Sequence, residues 1–140
     1  MSEPQKYEPG TIIWQDLTVD NAEQLSAFYE AVVGWTRDAH AMGEYSDFNM
    51  RPPAVEGASE EPAPVAGVCH ALGSNSGIPP HWILYVAVDD VDGAIERCRA
   101  LGGEVAHGPR MMGLHRFAVI RDPAGAYLGL FSAGPVEDRE

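Results

Sequence analysis

The chain is poor in positive charge. Nine Lys and Arg stand against 21 Asp and Glu, a formal net charge of −12. Nucleic-acid binding needs a basic patch to neutralise phosphates, and docking on an anionic membrane surface needs the same, so neither partner is expected. The imbalance favours a cationic ligand and helps keep the protein dissolved. Cysteine is scarce: Cys69 and Cys98 are the only two, with no Cys-x-x-Cys spacing, which argues against a disulfide framework and for a reduced interior. No run approaches the roughly 20 apolar residues of a membrane span. The first nine residues, with Pro4 and Pro9, lack the apolar stretch of a secretory signal, so the expected location is the cytoplasm. No Gly-x-Ser-x-Gly nucleophile motif occurs, and no two of the five histidines stand four residues apart, so the helical zinc pattern is missing.

What is present suffices for one domain. The chain has 140 residues, 45% of them hydrophobic, enough to bury a core without metal or disulfide support. Residues 1–9 and 134–140 read as flexible tails around a single domain at 10–133. Thr11–Val19 alternates as a strand, and Asn21 with Gln24, or Asp20 with Glu23, forms a capping box. Leu25, Phe28, Tyr29 and Val32 make one helical stripe, which Gly34 stops. Further strands begin at Trp35, at Tyr45 and at Val65, with a Pro-rich loop at 51–62. After a polar connector at Gly73–Pro80 the order repeats. His81–Val88 is a strand, Asp89-Asp90 caps a helix with the stripe Val91, Ala94, Ile95, Cys98 and Leu101, and Gly102-Gly103 ends it. Strands follow at Glu104–His107, Leu114–Ile120 and Tyr127–Ser132, the last two joined by the turn Asp122-Pro123-Ala124-Gly125.

The repetition is numerical. A shift of 69 takes Val19 to Val88, Val32 to Leu101, Gly34 to Gly103 and Phe48 to Phe117. Ala66-Gly67-Val68 matches Leu128-Gly129-Leu130 at a shift of 62, the 51–62 loop having changed the register. The fold class is therefore α+β, with two βαβββ modules at about 10–73 and 81–133.

Strand alternation sorts the faces. Leu17 and Val19, Val86 and Val88, and Leu128 and Leu130 should lie under the helices. The opposite face then holds Trp14, Asp16, Thr18, Ile83, Tyr85, Ala87, Tyr127, Gly129 and Phe131. Aromatics mixed with a few polar groups describe a ligand cavity, and a filled second core is the alternative. Candidate ligand-binding residues are Trp14, Phe48, Ile83, Tyr85, His115, Phe117, Tyr127 and Phe131. Asp16, Tyr85 and His81 are the catalytic candidates, with His81 and His115 near the rim as bases that titrate close to neutral pH. Arg110, Arg116 and Arg121 offer positive charge to an acidic substrate, although Arg121, just before the turn, is expected to pair with a nearby carboxylate. Cys98 reads as inert core, and Cys69 and His70 point to opposite strand faces.

LTVDNAEQLSAFYEAVVGW at 17–35, YVAVDDVDGAIERCRALGGEV at 85–105 and RDPAGAYLGLF at 121–131 resemble the vicinal oxygen chelate superfamily of glyoxalase I, bleomycin-resistance proteins and extradiol dioxygenases. The resemblance implies paired modules forming a curved, incomplete barrel, often as a homodimer. In members that use metal, four inward His, Gln or Glu side chains hold a divalent cation. Their positions here carry Trp14, Gly67, Ile83 and Gly129, none of which can donate a lone pair to a metal. The expectation is a small-molecule binding protein without cofactor or metal, holding an apolar or cationic compound. Two alternatives stay open: a metal-independent lyase or isomerase using Asp16 or a rim histidine with Tyr85, and a metalloenzyme of glyoxalase or dioxygenase type with displaced ligands.

Overall fold

A computed structural model describes residues 6–136; the outer parts of both expected tails, 1–5 and 137–140, lie outside the described residues. The elements are β1 (Ile12–Val19), α1 (Ala22–Val33), β2 (Thr36–Ala41), β3 (Ser46–Arg51), β4 (Ala66–His70), β5 (Trp82–Val88), α2 (Val91–Ala100), β6 (Glu104–Met112), β7 (His115–Arg121) and β8 (Tyr127–Ser132). This is the expected α+β class with two βαβββ modules. Two compact units result: residues 15–82, and residues 83–136 together with the segment before Gln15.

In the first unit the strands run in the order β2-β3-β4-β1, and in the second β5-β8-β7-β6. The first strand of each module pairs in parallel with the last, and the remaining pairs are antiparallel. The registers agree residue by residue. Asp16 pairs with Gly67 as Tyr85 pairs with Gly129, and Val19 with His70 as Val88 with Ser132.

The module repeat breaks at β3. Phe48 pairs with Val68, whereas Leu130, the counterpart of Val68, pairs with Ala118. The sequence shift of 69 thus becomes 70 in the fold, and Phe48 corresponds to Ala118 rather than to Phe117. One residue of slip turns a side chain to the other face of a sheet. Phe48 accordingly sits in the helix-side core with Ala22, Met50, Ala66 and Val68. It leaves the set of ligand-facing candidates.

Both helices start as their sequences suggest but differ in detail. Asp90 caps α2 by accepting from Gly93 N at 3.2 Å, and Arg97 and Arg99 in the last turn complement the helix dipole. Val91 and Ile95 are buried against Ala118 and Leu130. At α1 the Asn21 side chain bonds the Gln24 side chain at 3.1 Å and makes no bond to the backbone, so the capping box is incomplete. The expected stripe is also rotated: Ala22 and Ser26 are buried, whereas Phe28 and Val32 are exposed. Ser26 is tolerated there because its hydroxyl donates to Glu23 O and accepts from Arg37 Nη1. Leu101, the last residue of the α2 stripe, is likewise exposed.

Apolar packing around α1 is completed by a ring triad. Trp82 Nε1 donates to the Tyr29 hydroxyl at 3.1 Å, and both rings pack on Trp35. The Asp122 turn forms as read: Gly125 N donates to Asp122 O at 2.9 Å, Asp122 Oδ1 accepts from Ala124 and Ala126 N, and Gly125 takes the left-handed φ of 92° that favours glycine.

Candidate functional site

The helix-free face of the second unit is aromatic. Ile83, Tyr85, Phe117 and Val119 are buried there, with Ile13, Trp14, Tyr127 and Phe131 packed around them. Alternation along β5, β7 and β8 places Ile83, Tyr85, Phe117, Val119, Tyr127 and Phe131 on one side. Tyr85 and Phe117 meet edge to face at 6.2 Å. Tyr85 leans over its register partner Gly129, where a Cβ atom would overlap the Tyr85 ring, so only glycine fits beneath it. His115 closes one end of this face. It stacks on Phe131 at 4.7 Å, and Tyr7 packs against both rings. His115 Nδ1 lies 3.0 Å from Ser132 O, which can only accept, so Nδ1 donates there; Nε2 is buried.

Beside Phe117 stand two basic side chains. The Arg110 guanidinium lies 4.3 Å over the Phe117 ring, a cation–π contact, and its Nε donates to His107 Nε2 at 3.0 Å. Burial pushes the Arg110 pKa down from its ordinary value, with Tyr85 opposing. Burial and then Arg110 lower that of His107, which keeps the imidazole neutral and accepting. Arg116 and Arg121 do not join them. Arg116 pairs with Asp92 at 2.9 Å and Arg121 approaches Glu104 at 3.9 Å.

The first unit presents a different face at the equivalent positions. Asp16, Asp47, Asn49 and Cys69 stand where the second unit has Tyr85, Phe117, Val119 and Phe131. Asp47 Oδ1 accepts from His70 N at 2.8 Å. Burial first, and then the charges of Asp16 and Asp47, push the Cys69 thiol far above the ordinary thiol range, so it stays protonated. His81 is exposed ahead of β5, with its N–H on Pro79 O at 2.8 Å.

Known proteins resolve the family. The description Glyoxalase/Bleomycin resistance protein/Dioxygenase superfamily matches residues 11–130, most of the chain. The chain belongs to this superfamily. CFP32 of Mycobacterium tuberculosis, a glyoxylase by provisional name, is 34% identical over 132 residues, covering 91% of this chain and 46% of CFP32. The anthracycline biosynthesis protein DnrV of Streptomyces peucetius is 30% identical over 141 residues, covering 96% of this chain and 51% of DnrV. The chain thus spans about half the length of the curated relatives it matches. Among solved structures, a methylmalonyl-CoA epimerase of Streptomyces coelicolor superposes with a TM-score of 0.54 at 14% identity, covering 94% of this chain and 100% of that one. That likeness is one of fold.

The metal-holding arrangement of the superfamily does not fit these residues. Ile83 is fully buried in the apolar cluster, and the Tyr85 ring occupies the room that a side chain at Gly129 would need. Trp14 and Gly67 offer no ligand atom on their side chains. Among the described residues no group of three or more His, Cys, Asp or Glu is placed to hold a metal ion, and no helix is long and apolar enough to cross a membrane. His107 is not among the candidates that the sequence offers. The signal was there: His107 and Arg110 flank Gly108-Pro109, a pair that interrupts a strand.

Proposed function

We propose that this protein binds a small apolar molecule against the aromatic face of the second module, without metal. The observation that carries this reading is the content of the four inward positions: Trp14, Gly67, Ile83 and Gly129, with Tyr85 filling the space above the last. A binding face of this kind needs ring surface and a few polar groups at its margin, and Trp14, Tyr85, Phe117 and Phe131 with His115 and Arg110 supply both. A role in small-molecule metabolism also agrees with the name of DnrV, which places that relative in anthracycline biosynthesis. A cytoplasmic location and a homodimer belong to the same proposal.

A thermal-shift screen against aromatic small molecules tests it. A ligand raises the melting temperature with concentration by mass action, and Trp14→Ala weakens its binding about tenfold or more, the scale of a lost aromatic contact. Unit stoichiometry of a divalent ion, with stabilisation by that ion alone, would overturn the metal-free reading.

A further inference from the structure

β7 opens on a histidine whose ring is only half paired. His115 stands two residues before Phe117 and four before Val119, so alternation puts the three side chains on the helix-free face. The residue is 8% exposed. Its Nδ1 lies 3.0 Å from Ser132 O and 3.3 Å from Ser132 Oγ, and these contacts fix the ring. Nε2, at the tip of the side chain, is buried and has no hydrogen-bond partner among the described residues. Buried polar atoms are normally paired, because burial has cost them their water. In the neutral ring Nδ1 donates to Ser132 O and Nε2 keeps a lone pair; in the imidazolium Nε2 carries an N–H. A hydroxyl serves either form, because it both donates and accepts.

The imidazole lies among aromatic rings. It stacks on Phe131 at 4.7 Å with 24° between the planes, and Tyr7 meets His115 at 5.8 Å and Phe131 at 6.1 Å. The three centroids form a triangle, so Tyr7 borders both members of the stack. Tyr7 is itself a phenol, and no hydrogen bond joins it to Nε2. It comes from the leading segment, which is tied down by backbone bonds: Tyr7 N donates to Ala133 O, Gly10 N to Ala87 O, and Ala87 N to Thr11 O. A half-buried side chain on such a segment can rotate away while those bonds stay in place.

We propose that a phenol ring of the ligand takes the place of the Tyr7 ring beside His115 and Phe131 and hydrogen-bonds His115 Nε2. The ligand is then a hydroxyaromatic compound, and His115 is the residue that selects it. The inference rests on the reading of the aromatic face as the ligand face, and it names the class of compound that this face takes.

The test uses two probes of one shape, 2-naphthol and 2-methylnaphthalene, titrated at neutral pH into the whole chain, His115→Phe and Tyr7→Ala. His115→Phe keeps a ring on Phe131 and removes Nε2. The affinity of naphthol relative to methylnaphthalene is expected to fall about tenfold there, the scale of a hydrogen bond to a buried group. An unchanged ratio overturns the proposal and leaves the aromatic face standing. Tyr7→Ala is expected to raise naphthol affinity about threefold or more, since no side chain then has to be displaced. Unchanged or weaker binding in Tyr7→Ala overturns the shared place. Should His115→Phe fail to fold, the nitrogen-15 resonance of His115 Nε2 in the unaltered protein decides. Naphthol is expected to move it and methylnaphthalene to leave it in place; an equal response to both sinks the proposal. No binding of either probe up to its solubility overturns the face and the proposal together.

Discussion

The two modules share one backbone register and carry opposite chemistry on it. Asp16, Asp47, Asn49 and Cys69 in the first correspond to Tyr85, Phe117, Val119 and Phe131 in the second. Ladder bonds are made by backbone groups, so they hold the register whatever side chains the inward face displays. The fields on the two faces differ in sign as well. After burial, acidic neighbours disfavour ionisation of Cys69, and a basic neighbour disfavours ionisation of His107. The difference teaches that duplication here preserved a scaffold and that packing and polarity were then divided between its copies.

The comparison breaks most visibly at one pair of positions. Phe117→Ala empties the centre of an apolar cluster and is expected to cost about 3–5 kcal/mol. Its counterpart Asp47→Ala loses a charged acceptor from His70 N and costs about 1–3 kcal/mol. Urea unfolding of both variants checks the order, and equal losses would show that the two faces are packed alike. Next comes Gly129→Ala, which forces the Tyr85 ring aside at a cost of about 1–3 kcal/mol. In a Tyr85→Ala background the same substitution should cost almost nothing, a coupling that a double-mutant cycle reads directly. The smallest effect is on pH. Cys69 has a folded pKa above its ordinary value of 9.0, so its share of stability is complete below that value and lost as pH rises past it. His107 has a folded pKa below its ordinary 6.5, so its share is present above that value and lost as pH falls below it. Stability measured from pH 5 to 10 should therefore lose its alkaline decline partly in Cys69→Ala and its acid decline partly in His107→Asn.

Much of this was legible from residue order. Period-two alternation placed Tyr85, Tyr127 and Phe131 on one face, Asp90 announced the second helix, and Asp122 with Gly125 fixed the last hairpin. Three features were not. The α1 stripe was read from hydrophobicity, but the sheet accepts the small residues Ala22 and Ser26 against it and leaves Phe28 in solvent. Phe48 was aligned with Phe117 by identity of residue type, and one extra residue between the strands put it under the helix. The bulge in β6 defeats alternation altogether, so β6 runs on to Met112 and His107 joins Arg110 on a face that periodicity denies it.

Tyr7 carries a practical consequence. Its N–H bonds Ala133 O at 2.7 Å, and its ring covers His115 and Phe131. A shortened version starting at Gly10 would uncover the margin of the aromatic face and present sticky surface during purification. Affinity tags at the front should therefore be joined ahead of Tyr7 through a flexible spacer, and removal sites for them should leave that residue in place.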